Sequence, residues 1–139
     1  ESRTGKFVQL RGKTRNFGFC EDMLSYMEVC DLYINPLRKG GGTSCVEALF
    51  KGVPVVTVDY GDVAVNAGEL FCVGDYKGMQ KEIMRYYSNK AYYQEMSIKA
   101  RERAEVLLDT DTEFAKVMQE AEKRGQIWWE REARADAKV

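Results

Sequence analysis

The sequence predicts an α/β fold: an open, Rossmann-like parallel sheet of about four strands, flanked by helices and followed by a helical C-terminal segment. Three observations predict it. Val53–Val58 is nearly all β-branched, the signature of a strand buried on both faces of a parallel sheet. Short apolar runs on either side of it alternate with stretches of helical periodicity. From Asp75 onward the apolar residues recur only at helical spacing.

Taken in order, Phe7-Val8-Gln9-Leu10 reads as a first strand, and Arg11–Asn16 as the polar loop that leaves it. Met23, Leu24, Met27 and Val29 predict a helix over Glu21–Val29. Cys30–Asn35 is the second strand, stopped by the turn-forming pair Asn35-Pro36. A helix is expected over Thr43–Lys51, ended by Gly52 with Pro54 close behind. Val53–Val58 is the third strand and Glu69–Val73 a shorter fourth. Asp75 can cap a helix running to Tyr87, with Met79, Ile83, Met84 and Tyr87 on one face. The next helix spans Lys90–Leu108, with Tyr93, Met96, Ala100, Ala104 and Leu107 inward. A last helix starts at Thr110, where Thr110-x-x-Glu113 has the form of a capping box. The expected division is a domain over residues 1–124 and a helical tail over 125–139, in which Trp128 and Trp129 cannot both face one core.

Composition narrows the chemistry. At 139 residues the chain is long enough for one domain with a real core. The net charge of −1 does not suggest a nucleic-acid binder or a ligand for anionic membranes. No apolar run reaches the ~20 residues of a membrane span, and the first residues do not resemble a signal peptide, so a cytoplasmic location is expected. Cys20, Cys30, Cys45 and Cys72 are widely spaced among apolar neighbours and read as structural thiols, with disulfides or a metal site as the alternatives. With no histidine in the chain, hydrolases that need a histidine base and histidine-ligated zinc cannot be built from it alone. Asp109-Thr110-Asp111 sits between two helices and reads as a cap rather than a metal motif.

The stretch with the most chemistry is Asn35-Pro-Leu-Arg-Lys-Gly-Gly-Gly-Thr-Ser44, which joins a strand to a helix. In open parallel sheets ligands sit at the carboxyl ends of strands, where this loop falls. Gly40, Gly41 and Gly42 permit positive φ and close approach to the main chain. The amides of Gly42, Thr43 and Ser44 would be free donors at the helix N-terminus, where the dipole favours a phosphate. Two hydroxyls and the charges of Arg38 and Lys39 complete an anion grip. The loop is neither a Walker P-loop nor a G-x-G-x-x-G turn. The same residues also fit a purely structural role, since Ser44-x-x-Glu47 has the form of a capping box.

The segment "CDLYINPLRKGGGTSCVEALFKGVPVVTVDYGD" resembles the C-terminal, donor-binding domain of GT-B-fold glycosyltransferases. The likeness is carried by the strand ending in Asn35-Pro36, the glycine loop, and Glu47-Ala-Leu-Phe-Lys-Gly52-Val-Pro-Val-Val56. With the flanking strand and helices it extends over about residues 6–120. The resemblance implies a nucleotide-sugar donor, a UDP-sugar ahead of a GDP-sugar, and transfer of a hexose-type sugar to a glycan, lipid or protein acceptor without a metal or other cofactor. It implies that Glu47 holds the ribose hydroxyls, that Gly41, Gly42, Thr43 and Ser44 hold the diphosphate, and that Arg38 and Lys39 neutralise it. Lys13 and Arg15, in the Lys13–Phe17 loop, match a region that contacts base or phosphates; Asp62 matches a position near the sugar or is a simple turn aspartate.

Two departures stand out. Many retaining members carry a second glutamate eight residues before the first, and here that position is Lys39. Members of the family also carry further strand–helix units and an N-terminal acceptor domain. The chain is therefore expected to be a fragment, inactive alone, whose partner is that missing domain. A sugar-nucleotide epimerase of the same fold, or a non-catalytic nucleotide- or protein-binding module, remains as an alternative.

Overall fold

The structure, a computed structural model, describes residues 12–136. The expected strand Phe7–Leu10 and Arg11 of the loop after it lie outside the described residues.

Among the described residues, β1 (Tyr33–Asn35), β2 (Val55–Val58) and β3 (Cys72–Val73) form a parallel sheet in that order. The predicted α/β class is thus observed. All four residues of the central strand β2 are buried, which is why its sequence does not alternate and is apolar but for Thr57. Tyr33 lies opposite Val55, Asn35 opposite Thr57, and Thr57 opposite Cys72.

The strands are shorter than their apolar runs. Val29 and Cys30 donate backwards to the carbonyls of Tyr26 and Met27, turning the chain off the preceding helix before β1 can start. Glu69–Phe71 winds into a short 3-10 helix, leaving only Cys72 and Val73 for β3.

Among the described residues there are six α-helices: α1 (Met23–Met27), α2 (Gly42–Phe50), α3 (Gly61–Ala67), α4 (Tyr76–Ser88), α5 (Lys90–Leu108) and α6 (Thr110–Asp136). Asp22 caps α1 by accepting from the Ser25 amide at 3.1 Å, so the helix begins at Met23 rather than Glu21. The Lys90–Leu108 helix has the predicted bounds, with Asn89 as its cap. α3 has no counterpart in the sequence prediction.

The main core joins Cys45 and Leu49 of α2, the β2 valines and Met96, Ala100 and Ala104 of α5. Two alanines a turn apart on α5 let α2 pack closely against it. A second cluster, Met27, Ala48 and Val53, seats α1 on α2. On α4, Met79 and Tyr86 are buried, while Met84 and Tyr87 are exposed, which corrects the predicted face. The Tyr86 ring is drawn inward by Tyr92 and Tyr93 of α5, at centroid distances of 5.1 and 6.4 Å.

Both predicted capping boxes are displaced. α2 starts at Gly42 with Gly41 as its cap, so Ser44 lies in the first turn and Glu47 a turn further on. At α6 the capping side chain is Asp109, which accepts from the Thr112 amide at 3.2 Å, and Thr110 is already helical. α6 continues through Gly125, and Phe114, Val117, Met118, Trp128 and Trp129 on it are all exposed.

Candidate functional site

Among the described residues, three loops meet at the carboxyl edge of the parallel sheet, one from each strand. The first, residues 36–41, follows Asn35 at the end of β1 and carries the glycines. It rests on the second: a Cβ on Gly61 would come within 3.1 Å of the Arg38 carbonyl oxygen. It is tied to the third by the Leu37 amide, which donates to the Tyr76 hydroxyl at 3.2 Å. Asp75, before Tyr76, caps α4 by accepting from the Gly78 amide at 2.6 Å.

Within the first loop, Gly41 has φ +96° and serves as the N-cap of α2. Gly42, by contrast, has ordinary helical backbone; its small size matters because a Cβ would lie 2.9 Å from Asn66 Nδ2. The first intrahelical bond is donated by Cys45 to the Gly41 carbonyl at 3.1 Å. The amides of Gly42, Thr43 and Ser44 therefore precede the ladder and have no carbonyl to bond, among the described residues.

Arg38 lies back against Gly41, the N-cap of this helix. Its Nε donates to Asn35 Oδ1 at 2.9 Å, and its guanidinium sits 2.8 Å from where a Gly41 Cβ would be. Tyr33 supports the loop from below, its hydroxyl donating to the Gly41 carbonyl at 3.4 Å. Burial pushes the Tyr33 phenol above its ordinary 10.0, while the neighbouring Arg38 pulls it the other way. Among the described residues, neither Arg38 nor Lys39 forms an ion pair.

Glu47 lies one helical turn along α2 from Thr43 and Ser44, four and three residues on. Thr43 is exposed, Ser44 and Glu47 half-buried. The Glu47 carboxylate has no side-chain or backbone partner among the described residues. Asp62, in the first turn of α3, has its Cβ 3.2 Å from the position of a Gly42 Cβ, so it flanks the same N-terminus.

The structure thus brings together Arg38, Gly41, Gly42, Thr43, Ser44, Glu47 and Asp62, with Lys39 exposed on the loop between them. Lys13 is exposed, and Arg15 stacks over Phe17 at 5.0 Å, whose ring meets Tyr26 of α1.

Tyr33, Asn66 and Tyr76, which sequence reasoning passed over, complete the arrangement, together with Asn35. Asn35 was legible only as a turn former before Pro36. Its place opposite the lone polar residue of the β2 run, Thr57, is a signal that pairing the two strands would have exposed.

Chemically, the arrangement offers backbone donors, a helix dipole and two unneutralised cations for an anion, with a carboxylate a turn away able to accept from hydroxyls. Among the described residues no helix is long and apolar enough to cross a membrane. Nor does any group of three or more His, Cys, Asp or Glu side chains among them gather as metal ligands.

Comparison with known families agrees with the resemblance. A family model described as glycosyl transferases group 1 matches residues 2–89, from near the start of the chain to the C-cap of α4. Comparisons with curated proteins and with solved structures give no match. The matched span contains the sheet, all three loops at its carboxyl edge and every side chain of the candidate site. The chain belongs to the group 1 glycosyltransferases.

Proposed function

We propose that the carboxyl edge of the sheet is the donor site of a glycosyltransferase and holds a nucleotide sugar through its diphosphate and ribose. The observation that carries this is the start of α2: three amides free of carbonyl partners, with Arg38 against the Gly41 N-cap and, one turn along, a Glu47 carboxylate without a partner among the described residues. A diphosphate would accept from the Gly42, Thr43 and Ser44 amides and the two hydroxyls, while Arg38 and Lys39 balance its charge. Glu47, as a carboxylate, would accept from a pair of ribose hydroxyls. Asp62 stands on the other flank, toward the sugar.

Breaking the bond between a hexose-type sugar and the diphosphate leaves negative charge on the departing oxygen. Fixed amides and guanidinium charge stabilise that oxygen without rearranging, and so can do the work a divalent cation does elsewhere. The donor is a UDP-sugar ahead of a GDP-sugar, and the acceptor a glycan, lipid or protein.

Isothermal titration with UDP, GDP and their sugars tests the proposal. Binding should be detectable for at least one of them, strongest for UDP, and should fall on Glu47→Ala. No heat with any of the four, or binding indifferent to Glu47→Ala, would remove the donor-site reading.

A further inference from the structure

Asn35 is 1% exposed, an unusual place for an amide at the end of a strand. A buried amide must have its hydrogen bonds met, and here they run in one direction. The hydroxyl of Thr57, itself fully buried, donates to the Val58 carbonyl at 3.1 Å. That leaves the Thr57 oxygen free to accept from Asn35 Nδ2, at 3.2 Å. Asn35 Oδ1 is thereby turned outward, where it accepts from Arg38 Nε at 2.9 Å. The orientation of the amide is settled by Arg38, whose guanidinium can only donate. The chain therefore passes from the sheet interior to the guanidinium and ends at the start of α2.

Holding a cation there is not what an empty helix N-terminus favours, because the positive end of the dipole repels it. A buried side chain nevertheless fixes Arg38 in that place, and no carboxylate among the described residues offsets it. Such an arrangement is relieved when an anion occupies the amides. We propose that Asn35 is a positioning residue, which sets the Arg38 guanidinium beside Gly41 at the start of α2, so that it and the Gly42–Ser44 amides together meet a diphosphate. The proposal rests on the donor-site reading above, and it deepens that reading by naming what orients the cation.

The test is a double-mutant cycle read by calorimetry, with UDP as the charged probe and uridine as the probe without phosphate. Asn35→Leu keeps the volume and leaves Thr57 bonded to Val58. It should weaken UDP binding roughly tenfold, the scale of a hydrogen bond to a charged group, and leave uridine unchanged. In an Arg38→Ala background the same substitution should add nothing. An equal loss for UDP and uridine, or a further loss without Arg38, would show a general structural role and overturn the proposal. So would normal UDP binding by Asn35→Leu when Arg38→Ala weakens it, and in that case the donor-site reading survives. A folded wild-type chain that binds neither UDP, GDP nor pyrophosphate overturns both.

Should Asn35→Leu fail to fold, the wild-type Arg38 Nε–H decides by NMR. A separate, slowly exchanging signal that moves on adding pyrophosphate supports the assignment, and a signal averaged with those of free arginines sinks it.

Discussion

Asn66 Nδ2 donates to the carbonyl oxygen of Gly42 at 3.1 Å, linking α3 to the first residue of α2. A seven-residue helix thus buttresses the helix N-terminus at the centre of the candidate site, and Gly42 is the contact point. A methyl group at Gly42 would approach Asn66 Nδ2 to 2.9 Å and the Asp62 Cβ to 3.2 Å. Gly42→Ala is therefore expected to push the two helices apart, at a cost of about 1–3 kcal/mol by overpacking. Thermal unfolding should register the loss, and titration with UDP should show weaker binding. An unchanged melting temperature would mean that α3 does not bear on this turn.

The next residue back tests backbone rather than space. Gly41 has φ +96°, and a Cβ there would also meet the Arg38 guanidinium at 2.8 Å. Gly41→Ala should cost about 1–3 kcal/mol through the strained φ alone. Because Arg38 must then move, UDP binding should fall by more than the stability loss explains, and Arg38→Ala should mask that excess.

The thiols should separate by position. Burial pushes the Cys45 thiol up from 9.0 to about 12, and the nearby Cys72 adds to the shift. At neutral pH Cys45 should resist alkylation until the protein unfolds, whereas the exposed Cys30 should react promptly. Since the folded pKa is raised, Cys45 contributes stability below pH 9, and that contribution is lost as pH rises toward 12. Mass spectrometry after timed labelling checks the order, and early modification of Cys45 would contradict the packing of α2 on the sheet.

The start of α6 should be acid-sensitive. The Thr112 side chain and amide hold the Asp109 carboxyl below its ordinary 3.8. A depressed folded pKa gives stability above that value, which is lost as pH falls through the lower folded value. The Thr112 amide should therefore lose exchange protection in acid, below about pH 4. Asp109→Asn, which keeps the cap without the charge, should abolish that pH dependence. Persistence of the same acid transition in the variant would assign it to another group.

Much of this fold could be read from residue order alone. α5 was legible end to end because its bounds are set locally, by the Asn89 cap and by Asp109 at the other end. α3 was not, for equally local reasons. Gly61–Ala67 is two turns long, contains two valines, and starts at Tyr60 without a side-chain cap. It is helical because Val63, Ala64 and Ala67 are buried, and that burial depends on elements distant in sequence. The candidate site divides the same way. Its glycines, hydroxyls and Glu47 lie in one continuous stretch and were visible as a motif. Asn66 and Tyr76 act on that stretch across distances of the fold that no local spacing reveals, and so does the tie that fixes Asn35, its bond to Thr57.

The contact between Asn35 and Thr57 has one more consequence, for how the chain finds its structure. A valine-rich strand such as β2 has little in its own sequence to distinguish one alignment from the next. Here Asn35 of β1 and Thr57 of β2 are hydrogen-bonding side chains buried opposite each other. A slip by one residue would turn both side chains to opposite faces of the sheet and strand each among aliphatic groups. The pair therefore works as a registration pin, and a chain misaligned at β1 would be unable to present Arg38 at all.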